Sequence, residues 1–264
     1  MKIIKKIIIL VSFFVPFSIY AIENEETLKI KPESVKMNKN ILIIVAMQSE
    51  ADPIISKLKL RDMGKMSHLL RSNYYFGMIK NYNIYLAVNG KKENVDYVGA
   101  EATVISSVLG IEKFNPDILI NIGTSGALSS KKLMIGDILN ISESFYLDRN
   151  IPIPEYKIYS EGHFKANLFT KSKREYKVCS SLSFVTKKSI NSKMKNLGCD
   201  LFDMEAASFS FVATESNRKF YIIKGVTDYV DKEFNYTQFK TNFNMVTHKL
   251  ADYLHDKLLN TNDF

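Results

Sequence analysis

The stretch Ile41-Leu42-Ile43-Ile44-Val45-Ala46, followed by Met47-Gln48-Ser49-Glu50, decides the fold class. An unbroken apolar run of this length reads as a strand buried on both faces, the kind that parallel sheets contain. Two further runs share its form. Residues 117–122 follow Pro116 and end at Gly123, and residues 221–226 follow the polar turn 216–219 and end at Thr227-Asp228. Segments of helical period precede them, at residues 94–109 and 204–214. Residues 244–259 make an amphipathic helix through Met245, Leu250, Leu254 and Leu258, and residues 81–87 and 137–141 add strands. Strands alternating with helices imply crossover connections. The expected fold is α/β: a three-layer single domain whose central mixed, largely parallel β-sheet is flanked by helices.

Composition removes other classes. With 46 % apolar and 24 % charged residues but only 11 Gly and 6 Pro among 264, the chain is not collagen-like, low-complexity or wholly disordered. Away from the N-terminus no window holds eighteen consecutive apolar residues, which excludes a polytopic membrane protein. Two cysteines cannot build a disulfide scaffold, and His68, His163, His248 and His255 lack ligand spacing, so no metal is expected. Cys179 falls in an expected buried strand, and it and Cys199 read as two thiols rather than a bridge.

The N-terminus has its own pattern. Lys2, Lys5 and Lys6 precede the apolar residues 7–17, and Ile19-Tyr20-Ala21 offers a cleavage site. Residues 1–21 therefore read as a signal peptide, and the protein as exported to the periplasm or cell surface, with an uncleaved anchor as the alternative. Residues 22–40 are polar and aperiodic, a flexible leader, which leaves 41–264 as the folded domain. Removing the signal takes three lysines from a net charge of +8 and leaves +5. The remaining lysines are spread out apart from a cluster at residues 171–177. No helix-turn-helix, RNP-type or finger pattern accompanies them, so nucleic acid is not an expected partner. Weak binding to a sulfated polysaccharide is another use for the charge.

In doubly wound sheets, ligands bind beyond the carboxyl ends of the strands. The residues there are 47–50, 123–127, Phe184 with Val185, and Thr227 with Asp228, with Glu205 one crossover away. Singly, most have a plain structural explanation. Glu50 is a first-turn acid favoured by the helix dipole. Asp228 caps a turn, and Gly123-Thr124-Ser125-Gly126 is a small-residue loop such as any tight strand-to-helix turn shows. Glu205 also reads as a helix-start acid, but against this Phe202, Met204, Ala206, Ala207, Phe209 and Phe211 give it an apolar neighbourhood where an idle charge is unfavourable.

Together the elements are specific. Ala46-Met47-x-x-Glu50, Asn121-x-Gly123-Thr124-Ser125-Gly126, Asp203-Met204-Glu205-Ala206 and Thr227-Asp228 follow the order and spacing of one family. Over residues 41–256 the chain resembles the 5′-methylthioadenosine/S-adenosylhomocysteine nucleosidases of the purine nucleoside phosphorylase-like superfamily. The resemblance implies a nucleoside phosphorylase-like fold, a homodimer, no cofactor, and hydrolysis of an N-glycosidic bond. Position by position, it implies that Glu50 activates the attacking water, Glu205 holds the ribose hydroxyls with Met204 beside the sugar, and Asp228 protonates the purine at N7. Thr227 stands where the family usually has Ser. Phe184 would stack on adenine and Val185 read its edge, Thr124, Ser125 and Gly126 would flank the water and sugar, and Met47 and Phe202 would line the pocket. Lys224 would join the substrate-binding residues in place of the family's Arg, offering a point charge instead of a two-pronged grip. Asn89-Gly90-Lys91-Lys92-Glu93 and residues 147–156, with Pro152 and Pro154, also depart from the family pattern and imply an altered rate or 5′-substituent preference. The alternatives are a purine nucleoside phosphorylase, for which an Arg-lined phosphate loop is missing, and an exported polysaccharide-binding adhesin, with or without nucleosidase activity.

Overall fold

Residues 41–45 are fully buried and form most of strand β1 (Lys39–Val45), with Ala46 buried just beyond its end. Both faces are covered: Ile41, Ile43 and Val45 enter one apolar cluster, Leu42 and Ile44 another. The computed structural model describes residues 38–169, 174–189 and 196–260. The chain divides into two units, Met1–Lys36 and Met37–Phe264. The expected signal peptide and most of the expected leader lie outside the described residues. The fold starts slightly before residue 41, because Lys39 and Asn40 already pair with Tyr82 and Asn83.

After β1 come α1 (Gln48–Leu58), β2 (Arg61–Lys65), β3 (Asn73–Ile79), β4 (Tyr82–Val88), the small hairpin β5 (Lys91–Lys92) and β6 (Val95–Asp96), α2 (Ala100–Phe114) and β7 (Ile118–Ala127). Then follow β8 (Ile138–Tyr146), the short α3 (Lys157–Glu161), β9 (His163–Lys165), β10 (Tyr176–Ser180), β11 (Leu201–Asp203), α4 (Ala206–Glu215), β12 (Lys219–Tyr229) and α5 (Tyr236–Asn260). The main sheet has the order β11-β10-β8-β12-β7-β1-β4-β3-β2, with β9 on β8. An added β11–β7 pairing closes β7, β12, β8, β10 and β11 into a ring. One face is packed by α1 and α5 through Ile54, Leu58, Val246, Leu250 and Leu254, and the other by α2 and α4 through residues such as Leu109, Phe114, Ala206 and Phe209.

The sheet is mixed and partly closed rather than largely parallel. β1–β4, β1–β7, β7–β12, β8–β10 and β10–β11 are parallel, but β2–β3, β3–β4, β7–β11, β8–β9 and β8–β12 are antiparallel. A strand buried on both faces loses the alternation that marks antiparallel neighbours, so the apolar runs carry no sign of direction. Residues 123–126 are not a loop. β7 runs on through them because β12 pairs along one edge as far as Ala127, and β11 pairs with Gly126 and Ala127 on the other. The C-terminal helix starts at Tyr236 rather than 244, its first turns being too polar to show a period. Cys179 and Cys199 form a disulfide, not two thiols, with Cα atoms 5.8 Å apart. The hydrogen bond from Asp200 N to Lys177 O brings the returning chain alongside β10, a long-range approach that spacing does not reveal.

Candidate active site

Three strands of the closed ring meet at Gly126. It pairs with Phe202 of β11 on one side and with Asp228 of β12 on the other. The register of β12 slips between Val226 and Asp228, leaving Thr227 as a bulge. A one-residue bulge reverses the side-chain alternation, so Asp228 shares the face of Gly126 and not that of Val226, which lies in the α2/α4 cluster. A Cβ on Gly126 would collide with Val230 and lie 3.2 Å from Asp228 Oδ2, so only glycine leaves the carboxyl in place.

The Thr227 hydroxyl has one proton and two oxygen neighbours, the Ser125 carbonyl at 3.2 Å and Asp228 Oδ1 at 2.8 Å. The carbonyl can only accept. The single proton is therefore shared between the carbonyl and the carboxylate, and the hydroxyl is a weaker support for the Asp228 anion than a dedicated donor would be. Burial pushes the Asp228 pKa up, and the contact with Thr227 opposes it. The bulge is anchored from α5, where Asn242 Nδ2 donates to Thr227 O at 2.8 Å.

Glu50 arrives from α1 and meets different surroundings. As the third helical residue it turns back toward the cap, and its Oε2 accepts the Met47 N–H at 3.4 Å. Its Oε1 accepts the Thr124 N–H at 2.7 Å and the Thr124 hydroxyl at 2.8 Å. A Cβ on Gly123 would lie 3.1 Å from the same oxygen. Burial raises the Glu50 pKa, while the two Thr124 donors, the Lys224 charge and the Met47 N–H pull it back.

Glu205 stands at the N-cap of α4, where its Oε1 accepts the Gly99 N–H at 2.8 Å beside the N-terminus of α2. Burial first, then repulsion from Asp203, pushes its pKa up to about 7 against the opposing charge of Lys224.

Lys224 is 1 % exposed, and its Nζ lies 2.7 Å from Asp203 Oδ2. Burial works against its charge, but Asp203, Glu205 and Glu50 outweigh it and raise its pKa. Contrary to its expected place among the substrate-binding residues, it does not line the cavity but sits behind Asp203. Asp203 also accepts the Ala206 N–H at 2.9 Å and the Ser180 hydroxyl. The pair thus fixes the turn that carries Met204 and Glu205.

These groups surround a cavity of about 220 Å³. Met47, Glu50, Thr124, Ser125, Gly126, Phe184, Val185, Phe202, Met204, Glu205, Thr227 and Asp228 line it, as do Ala46, Val98, Asp203, Val230 and Phe239, which the sequence reading leaves without a role. Asp203 had a signal, an acid placed to cap the helix after Met204-Glu205. Val98 and Phe239 had none, since one follows an atypical loop and the other lies in the polar first turns of α5. Phe184 is half exposed and meets Phe234 edge to face at 5.5 Å. The departing residues 89–93 do not line the cavity; Asn89 is buried and donates to Thr103 Oγ1 at 3.2 Å. Among the described residues no group of three or more His, Cys, Asp and Glu side chains is placed to hold a metal ion. Of the basic cluster, residues 171–173 lie outside the described residues, while Arg174 pairs with Asp200 and Lys177 with Glu143, each at 3.0 Å.

Comparison with known proteins agrees with this architecture. The phosphorylase superfamily profile matches residues 40–258. A 5′-methylthioadenosine/S-adenosylhomocysteine nucleosidase of Arabidopsis thaliana is 31 % identical over 231 residues, covering 81 % of this chain and 88 % of that protein. The apo structure of Arabidopsis thaliana 5′-methylthioadenosine nucleosidase superposes with a TM-score of 0.77 at 25 % identity, covering 86 % of this chain and 98 % of that one. A solved MTA/SAH nucleosidase gives a TM-score of 0.76 at 27 % identity, covering 84 % and 95 %. The α/β fold is nucleoside phosphorylase-like, a central sheet flanked by helices.

Proposed function

The chain belongs to the phosphorylase superfamily and, within it, to the 5′-methylthioadenosine/S-adenosylhomocysteine nucleosidases, and from that premise we propose how its acids divide the work. It hydrolyses the N-glycosidic bond of 5′-methylthioadenosine and S-adenosylhomocysteine, releasing adenine and the 5′-substituted ribose. Asp228 donates a proton to the purine as the bond breaks, so that a neutral base leaves. Glu50 takes the proton of the attacking water. Glu205 accepts hydrogen bonds from the ribose hydroxyls and places negative potential under the oxocarbenium-like sugar. Phe184 and Val185 form the purine wall, and Met47 and Met204 flank the sugar and its 5′-substituent.

The observation that carries this reading is the unequal solvation of acids facing one cavity. Among the described residues Glu50 is met by three donors, whereas Asp228 is met by one hydroxyl whose single proton it shares with the Ser125 carbonyl. Environments that set carboxyl groups apart in this way separate base from acid. The test is adenine release from both nucleosides in phosphate-free buffer. Release at full rate without phosphate is expected, and an absolute requirement for phosphate would overturn hydrolysis in favour of phosphorolysis.

Three further points belong to the same proposal. Exposed Ile105 and Val108 on α2, with Ile153 and Ile158, support a homodimer. The Cys179–Cys199 disulfide supports export, because such bonds persist in oxidising compartments. Weak adhesion to sulfated polysaccharide rests on the N-terminal signal pattern, the net positive charge and the basic cluster at residues 171–177.

A further inference from the structure

The disulfide lies next to the cavity. Cys179, at the end of β10, and Cys199, just before β11, are both fully buried. They belong to a small apolar cluster with Phe145, Leu147, Val185, Phe202 and Val230, separate from the two large clusters on the faces of the sheet. Val185, Phe202 and Val230 also line the cavity. Cys179 pairs with Phe202 in the β10–β11 register, and Phe184 and Val185 lie in the segment that the bond closes. One wall is therefore buttressed by the bond and a few apolar neighbours. Glu50 and Asp228 hang from α1 and β12, and Glu205 is held by Gly99, so the three acids are positioned by groups other than the cysteines.

We propose that the Cys179–Cys199 disulfide is a positioning element for the purine-binding wall, holding Val185 and Phe202 in place so that the nucleoside's base meets a pre-formed surface. The inference rests on the reading that this cavity takes an adenine nucleoside. A wall fixed before binding spares the ordering that a loose one requires, so the bond acts on affinity and not on the proton transfers. A dithiol supplies the two electrons and two protons that convert the bond to two thiols and itself becomes a cyclic disulfide. Reduction in this way releases the strap and makes binding sensitive to redox state.

The test compares the full-length wild type with Cys179→Ala/Cys199→Ala. Steady-state turnover of methylthioadenosine and calorimetric titration with adenine are the two readouts. The expected result is a KM and an adenine Kd each raised by about tenfold, with kcat within about twofold of wild type. Unchanged KM and adenine Kd, or a fall in kcat alone, would overturn the proposal. If the double variant does not fold, wild type reduced with dithiothreitol to two titratable thiols gives the same comparison. A wild type that releases no adenine would instead overturn the nucleosidase reading, whatever the variant does.

Discussion

Glu50 and Asp228 bring the same functional group to one cavity, from α1 and from β12, and find different company. Around Glu50 every hydrogen-bonding neighbour among the described residues donates: two groups of Thr124 and the Met47 amide. Around Asp228, among the described residues, the neighbour is a single hydroxyl whose own proton has a carbonyl to serve. Burial raises both carboxyl groups, but three donors and the Lys224 charge restrain Glu50, whereas Thr227 alone restrains Asp228. The difference teaches how the backbone can set two carboxyl groups apart, through a helix N-terminus turned on one and a strand bulge that aims the other, as the proposed division into base and acid requires.

The contrast is broken most severely by removing either acid. Asp228→Asn and Glu50→Gln should each lower kcat by roughly 10²–10⁴-fold. A ribosyl substrate with a nitrophenolate leaving group, which departs without protonation, should restore most of the loss in Asp228→Asn and none in Glu50→Gln. Equal rescue of both variants would remove the distinction between acid and base.

Next in size is the buried cation beneath the cluster. Lys224→Met leaves Asp203 buried without its partner and should destabilise the protein by about 3–5 kcal/mol in urea unfolding, with Lys224→Arg recovering most of it. A change within error for the methionine variant would show that the pair does not hold the Met204–Glu205 turn.

A smaller effect is expected from the bulge. Thr227→Val removes the partner of Asp228 and should lower kcat about tenfold, the size of one lost hydrogen bond at a reacting group. Because Thr227 lowers the Asp228 pKa, its loss should also move the alkaline limb of the rate profile upward. An unmoved limb would detach Asp228 from that limb.

The mildest prediction concerns pH. Glu205, raised to about 7, must be ionised to accept the ribose hydroxyls, so kcat/KM should rise with pH through that region, and Glu205→Gln should flatten the limb. The sign for stability is opposite. A carboxyl that binds its proton more tightly when folded stabilises the protein at low pH, and this contribution is lost as pH climbs from 4.5 to about 7. Unfolding midpoints that rise across that window would contradict the assignment.

The sequence made the acids legible for a physical reason. Glu50 and Asp228 each follow an apolar run that must be a buried strand, and sheets of this class bind ligands where such runs end. Glu205 stood out because an ionisable group among Phe202, Met204, Ala206 and Phe209 needs a partner. What stayed hidden depends on pairing between distant segments. Gly123-Thr124-Ser125-Gly126 has the composition of a turn, yet strand pairing on both edges keeps it extended. Nothing local tells Thr227 that it will be a bulge, Lys224 that it will face Asp203, or Cys199 that it will return beside Cys179. Strand direction was equally hidden in runs buried on both faces.

The scheme stands or falls on which of the two acids holds its proton longer. Carboxyl ¹³C titration of the free protein, assigned through Asp228→Asn and Glu50→Gln, reads this directly. As pH falls, Asp228 should take up its proton before Glu50, although an aspartate ordinarily titrates below a glutamate. If Glu50 protonates first, the roles of acid and base given to these two residues are wrong.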